Sequence, residues 1–232
     1  MAEVVDASAG HGIDPWLVHE DERLAIRCFD RRAGSAPDLV TLSPSLAGIP
    51  FARMRQVHGS TVVLVDDLDG GVDPSEADAL VAFARPTSLI VRTADCVPLV
   101  LWDHTTSAVA VVHVGWRGLV AGIVPATITS LVGHGVAPEG IRAWIGPYIC
   151  SGCYPVGHDV QGQIVAAASA AEATSRTGEP AADVGAGVIE QLRALGVQAI
   201  TVDGRCTREF VDLFSARGGD ATDRLQFVAT VS

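Results

Sequence analysis

His58, Cys96 and His113 are the residues of this chain best suited to chemistry. Each stands in a short polar island between apolar runs: Arg55-Gln56-Val57-His58-Gly59-Ser60, Thr93-Ala94-Asp95-Cys96, and Val112-His113-Val114-Gly115-Trp116-Arg117-Gly118. Two imidazoles and one thiolate brought together would give a three-ligand site with an open position, the arrangement of a catalytic zinc centre. Without a metal the same residues would form a Cys–His nucleophilic pair. Taken singly, none of the three decides anything, because a lone cysteine is usually a buried thiol and a lone histidine a core or loop residue.

Their neighbours narrow the chemistry. Asp95, beside Cys96, is a candidate acid or hydrogen-bond acceptor. Gly115 and Gly118 flank Trp116 and Arg117, allowing tight turning and close backbone approach. They also leave backbone N–H groups free at a helix start, where an anion can sit. Arg117 could grip a phosphate or carboxylate with two hydrogen bonds, and Arg55 is a second cation for the same task.

Composition bounds the rest. The 232 residues are 48% hydrophobic, enough for a full core. A formal net charge of −11 argues against nucleic-acid or anionic-membrane partners. All 16 basic residues are arginine, so lysine Schiff-base chemistry and a Walker-type phosphate loop are excluded. Anionic groups must be met by arginine, backbone N–H or a metal. The five cysteines (Cys28, Cys96, Cys150, Cys153, Cys206) lack the density of a secreted disulfide scaffold. No signal-like segment opens the chain and no apolar run is long enough to span a membrane, so a cytoplasmic protein is expected. Cys150-Ser151-Gly152-Cys153 has the spacing of a redox or zinc-knuckle pair, but with no second such pair in sequence and no thioredoxin-like βαβ context it reads as inert thiols.

The elements that must carry the islands follow from periodicity and breakers. Residues 1–22 read as a poorly ordered start and 23–232 as one domain. Strands are expected at 24–29, 61–65, 79–84, 89–92, 98–102, 108–114, 141–145, 197–202 and 225–231, with a loop at 30–38. Several of these runs are almost continuously apolar, as strands covered on both faces are. Helices are expected from after Gly118 to about Leu131, with Pro125 marking its true start or a kink, and at 159–171 and 182–195. The alanine-rich stretch 166–177 reads as helix and its exit. Strands dominate the first half and helices mix in later, which is an α+β class with a mixed sheet rather than a Rossmann alternation.

Together the islands resemble the laccase-domain family, described both as multicopper polyphenol oxidoreductases and as purine nucleoside phosphorylases. The likeness extends through Ala77-Asp78-Ala79-Leu80-Val81, Val97-Pro98-Leu99, Ile145-Gly146-Pro147, Cys153-Tyr154, Val156-Gly157 and Cys206-Thr207, in order over about 150 residues. The resemblance implies an α/β/β/α arrangement of mixed sheets, related to toxin deamidases that use a Cys–His pair. It implies zinc bound by His58, Cys96 and His113, with phosphorolysis of adenosine, inosine or methylthioadenosine and deamination of adenosine. Its partners would be a small nucleoside and phosphate, met by Arg55, Arg117 and Arg217. The substrate shell departs from the family pattern. Cys-Tyr-Glu-Val stands here as Cys153-Tyr154-Pro155-Val156, and Ser-Tyr-Arg-Arg as Ser215-Ala216-Arg217-Gly218. Arg32-Ala33-Gly34-Ser35 only faintly matches a Gly-Gly-Val-Ser loop.

Four readings of function follow. The first is zinc-dependent purine nucleoside chemistry. The second is copper oxidation of polyphenols, since a His2Cys site also accepts Cu2+; however, none of the seven histidines forms a His-x-His pair. The third is a Cys–His amide hydrolase acting on a cell-wall precursor or similar amide, and the fourth a binding-only member.

Overall fold

The computed structural model describes residues 15–20, 24–34, 46–65, 76–83, 87–103 and 105–231. Strands are β1 (Trp16–Glu20), β2 (Leu24–Phe29), β3 (Phe51–Ala52), β4 (Val62–Leu64), β5 (Ala79–Ala82), β6 (Thr87–Thr93), β7 (Val97–Trp102) and β8 (Val109–Val114). Helices α1 (Trp116–Ala121) and α2 (Ile123–Gly133) follow, then β9 (Arg142–Ile145) and α3 (His158–Ala167). The chain continues through β10 (Glu172–Thr174), β11 (Pro180–Ala182), α4 (Val184–Ala194), β12 (Ala199–Val202) and β13 (Leu225–Val231).

Two mixed sheets lie face to face. One runs β1-β2-β13-β6-β3, the other β12-β9-β7-β8-β5-β4, and β10-β11 is a separate hairpin. Alternation along β7 and β8 explains their unbroken apolar sequence. Val100, Trp102, Val109 and Val111 pack toward Leu89, Val91, Leu225 and Phe227 of the other sheet. Their neighbours Leu99, Leu101, Ala110 and Val112 pack instead on Leu119, Ile123, Ile128, Val188 and Leu192 of the helices. Both faces are buried, as the sequence pattern required. The expected α+β class with mixed sheets is therefore present. Outside the five-stranded sheet, Phe29, Leu46, Ile90 and Val228 form a small cluster. No α-helix covers that face among the described residues, so the described part is an α/β/β stack.

Several boundaries differ from expectation for identifiable reasons. The first helix begins at Trp116, not after Gly118, because Gly115 in extended conformation (φ −80°, ψ 169°) already serves as its N-cap. Gly122 (φ 83°) then breaks the run into α1 and α2. Pro125 lies in the first turn of α2, where its missing N–H leaves no hydrogen bond unmade. The helix expected to Ala171 ends at Ala167, since Ala168 is extended (φ −159°) and a 3-10 turn over Ser169–Ala171 follows. Glu172–Thr174, read as helix exit, is a strand paired with Pro180–Ala182. Within the segment expected to lack order, Trp16–Glu20 pairs antiparallel with β2. The rest of that segment, 1–14 and 21–22, lies outside the described residues, as do 35–38 of the expected loop, Ala84 and Ser35.

Candidate active site

The six-stranded sheet delivers the three residues to one end. His113 is the penultimate residue of β8 and pairs in register with Pro98 of β7. Cys96 closes the turn that joins β6 to β7, and His58 sits in the loop between β3 and β4. Their ligand atoms all lie within 4.8 Å of one another. Cys96 Sγ is 3.8 Å from His58 Nε2, and the two imidazoles meet edge to face with centroids 4.7 Å apart. His113 is buried, Cys96 half-buried and His58 exposed, so the cluster runs from the core to the surface.

Local backbone geometry is bent to this end. His58 (φ 61°) and Asp95 (φ 86°) are both left-handed, a conformation uncommon in residues with a Cβ and enriched at functional sites. Gly115 is glycine because of crowding. A Cβ there would fall 2.8 Å from His58 Cδ2 and 3.1 Å from Cys96 Sγ.

Asp78 holds the constellation together. It is fully buried at the entry to β5. Its Oδ1 accepts from His113 Nδ1 at 2.8 Å and from the His58 amide at 2.9 Å. Its Oδ2 accepts from the Gly59 amide at 2.6 Å and the Val57 amide at 3.3 Å. One carboxylate thus orients one imidazole and pins the loop carrying the other. Burial pushes the Asp78 pKa up, but the bonds from His113, Gly59 and His58 outweigh it and hold the group below its ordinary value.

The electrostatics couple the set. Burial pushes the Cys96 thiol up, yet hydrogen bonds to His113 and His58 bring it down to about 6. Burial pushes His113 down, yet Asp78 and then Cys96 raise it to about 9. With Nδ1 engaged by Asp78, His113 keeps Nε2 for a ligand. The donor set fits a single tetrahedral ion. Zinc–ligand bonds of about 2.0–2.3 Å put ligand atoms about 3.5 Å apart, close to the 3.8 Å between Cys96 and His58. With Cys96 as thiolate and both imidazoles neutral, the set would present a His2Cys face with one coordination position open.

The other expected site residues fall as follows. Asp95 turns its carboxylate to the late segment, accepting from Thr207 Oγ1 (2.7 Å), Ser215 Oγ (2.6 Å) and the Arg217 amide (2.7 Å). Arg55 makes an exposed ion pair with Glu76. Arg117 stacks on Trp116 at 4.5 Å, and Arg217 lies over the Tyr154 ring at 4.9 Å. Burial raises the Tyr154 phenol; the charges of Cys96 and Asp95 add to the rise, and those of Arg217 and Arg117 oppose it. Sequence reasoning gave no role to Asp78 or Tyr154. Both lie in the motifs quoted above, Ala77-Asp78-Ala79 and Cys153-Tyr154, which was the signal available.

Residues 39–230 match the family described as multi-copper polyphenol oxidoreductase laccase. The chain belongs to this family. Among its relatives, a purine nucleoside phosphorylase of Streptomyces coelicolor is 41% identical over 199 residues, covering 83% of this chain and 82% of that protein. A purine nucleoside phosphorylase of Streptomyces griseus is 39% identical over 173 residues, covering 74% and 70%. The solved structure of a Neisseria meningitidis protein superposes with a TM-score of 0.78 over 94% of this chain and 99% of that one, at 24% identity. That match concerns the laccase-family fold alone. Among the described residues, no helix is long and apolar enough to cross a membrane.

Proposed function

We propose that this laccase-family protein is a zinc-dependent purine nucleoside phosphorylase, with adenosine deamination as a second activity of the same site. The observation that carries the reading is the convergence of His58, Cys96 and His113 on one point. The names of the two Streptomyces relatives support the substrate class.

Zinc held by these three side chains would supply a Lewis acid there. The remaining requirements fall on the chain itself. Phosphorolysis forms a bond from a phosphate oxygen to the sugar C1′ and breaks the bond from C1′ to the purine. The base leaves with the bonding electron pair and takes up a proton. Phosphate entering a protein of net charge −11 needs cations at the site. We assign that task to Arg117, two residues after the Gly115 that abuts His58 and Cys96, and to Arg217, which lies over the Tyr154 ring. Arg55 is the weaker candidate because Glu76 already pairs with it in solvent. Tyr154 and Trp116 supply aromatic surface for a purine. Asp95 is assigned a positioning role, since its carboxylate already accepts three hydrogen bonds from Thr207, Ser215 and Arg217.

A second reading rests on the charge state of the same cluster. Without metal, Cys96 at about 6 and His113 at about 9 form a thiolate–imidazolium pair at neutral pH. Asp78 on His113 Nδ1 completes a nucleophile–base–orienter arrangement suited to amide hydrolysis. Metal content separates the readings: a tightly held zinc at His58, Cys96 and His113 supports the phosphorylase. Copper at the same residues would give a His2Cys centre. A multicopper oxidase needs many more histidines, and among the described residues His58 and His113 are the ones that enter a metal-type cluster.

The test is an assay of adenosine, inosine and methylthioadenosine with and without phosphate, comparing the wild type with Cys96→Ala. Phosphate-dependent release of free base that the substitution abolishes is expected. Equal rates in both proteins, or release indifferent to phosphate, would remove the reading.

A further inference from the structure

A second cluster shares no residue with His58, Cys96 and His113. Cys150, Cys153, Cys206 and Glu209 each offer one ligand atom, and these atoms all lie within 4.8 Å of one another. The three sulfurs are free thiols. The sequence presents Cys150-Ser151-Gly152-Cys153 as a knuckle without a mate, but the fold supplies one. Cys206-Thr207-Arg208-Glu209 has the same spacing, with a carboxylate in the last position.

Both tetrapeptides close on themselves as knuckles do. The Cys153 amide donates to the Cys150 carbonyl at 2.9 Å, and the Glu209 amide donates to the Cys206 carbonyl at 3.0 Å. A bridge between Tyr148 and Cys206 sets them side by side, with the Thr207 amide bonded to the Tyr148 carbonyl at 3.1 Å. The sulfurs already have outer partners. The Cys150 amide donates to Cys206 Sγ at 3.2 Å, and Arg176 Nη1 donates to Cys153 Sγ at 3.0 Å while its Nη2 pairs with Glu209. Cys150 Sγ and Cys153 Sγ also lie 3.8 and 3.4 Å from Glu209 Oε1, and burial together with the neighbouring sulfurs raises both thiols, so the thiolates form when a cation takes the place of their protons. Cys153 and Cys206 are buried against Ile149 and Tyr154, and Glu209 closes the solvent side.

We propose that Cys150, Cys153, Cys206 and Glu209 form a second metal site, a closed Cys3Glu tetrahedral centre that takes zinc. Thiolates select a borderline-soft ion over magnesium or calcium, and four protein ligands leave no position for substrate, which makes the site structural. Three thiolates and one carboxylate are balanced by the divalent ion and Arg176 to a single residual negative charge. Binding releases the thiol protons to solvent. The ion would clip together two segments that both grip the Cys96 turn. The Ile149 amide donates to the Asp95 carbonyl at 3.0 Å, and Thr207 Oγ1 donates to the Asp95 carboxylate at 2.7 Å.

The test uses the full chain carrying His58→Ala and Cys96→Ala, which disables the His58–Cys96–His113 cluster, with folding checked by circular dichroism. Cobalt(II) is titrated in under reducing conditions, then displaced with zinc. The folded double variant is expected to bind one equivalent, with an intense thiolate-to-cobalt charge-transfer band and tetrahedral d–d bands. Adding Cys206→Ser should abolish the band. Because Cys206 is buried and its loss strains folding, Glu209→Gln on the exposed side provides the second variant, retaining the band with at least about tenfold weaker affinity. No cobalt uptake by the folded double variant would overturn the site. So would a Cys150–Cys153 disulfide that forms without metal uptake. The site is independent of the proposed function: should His58, Cys96 and His113 bind no zinc, the wild type would still hold one equivalent, lost through Cys206→Ser and kept through Cys96→Ala.

Discussion

Replacing Asp78 with asparagine is the sharpest probe of the His58–Cys96–His113 cluster, because shape is kept while charge is lost. Four N–H donors converge on the two carboxylate oxygens, two on each. In asparagine one oxygen becomes an NH2 group, which faces two of those donors and can accept from neither. Two bonds to a charged acceptor, at about 1.5–3 kcal/mol each, put the loss at roughly 3–6 kcal/mol. No solvent discount applies, since Asp78 is fully buried. If the NH2 group turns to the His113 side, it also forces the imidazole to accept at Nδ1 and carry its proton on Nε2, the nitrogen needed for the ion. Zinc affinity should then fall about 10–100-fold, the usual cost of losing an orienting carboxylate. Urea denaturation at neutral pH and chelator competition measure the two effects. The pH dependence has a defined sign. Asp78 is held below its ordinary 3.8, so its contribution is complete above that value and fades as pH falls through the lowered folded-state pKa. The stability gap between wild type and variant should therefore close in acid. A variant as stable as wild type at neutral pH, with unchanged zinc affinity, would refute the assignment of Asp78.

Further outcomes follow from the same geometry. Gly115→Ala keeps an allowed backbone (φ −80°) but drives a methyl into His58 and Cys96, so zinc affinity should drop by at least about tenfold for a stability cost of only about 1–3 kcal/mol. Retained affinity would show that the crowding is easily relieved. In chelator-treated protein, Cys96 alkylation should rise with pH through a midpoint near about 6, because the thiolate is the reactive form, and zinc should suppress it. A midpoint near that of a free thiol would contradict the coupling to His113 and His58. Arg117→Ala should raise the KM for phosphate by about tenfold or more, whereas Arg55→Ala, removing an exposed ion pair, should change it by no more than about fivefold. Equal effects of the two would put the phosphate elsewhere.

Much of this protein was legible in order of sequence. Apolar runs such as 98–102 and 108–114 announced strands buried on both faces, and β2 and β13 fall at the expected residues. Boundaries failed where a local device outranked periodicity, as when Gly115 capped α1 early and Gly122 split it from α2. The site trio was legible because His58, Cys96 and His113 are chemically conspicuous and each interrupts an apolar segment. Their partner Asp78 was not, since an aspartate beside a strand is ordinarily a turn residue, and only burial shows that its charge must be satisfied.

Residue type and apolar pattern, read along the chain, determined which groups could bind a metal and which strands would carry them. Folding decided which groups share a point. Sheet pairing brings Asp78 under His113 across β5 and β8, and a bridge at Tyr148 brings Cys206 and Glu209 to Cys150 and Cys153 from more than fifty residues away. Such meetings depend on long-range register, and a linear pattern carries no information about register between segments that touch only after the core has closed.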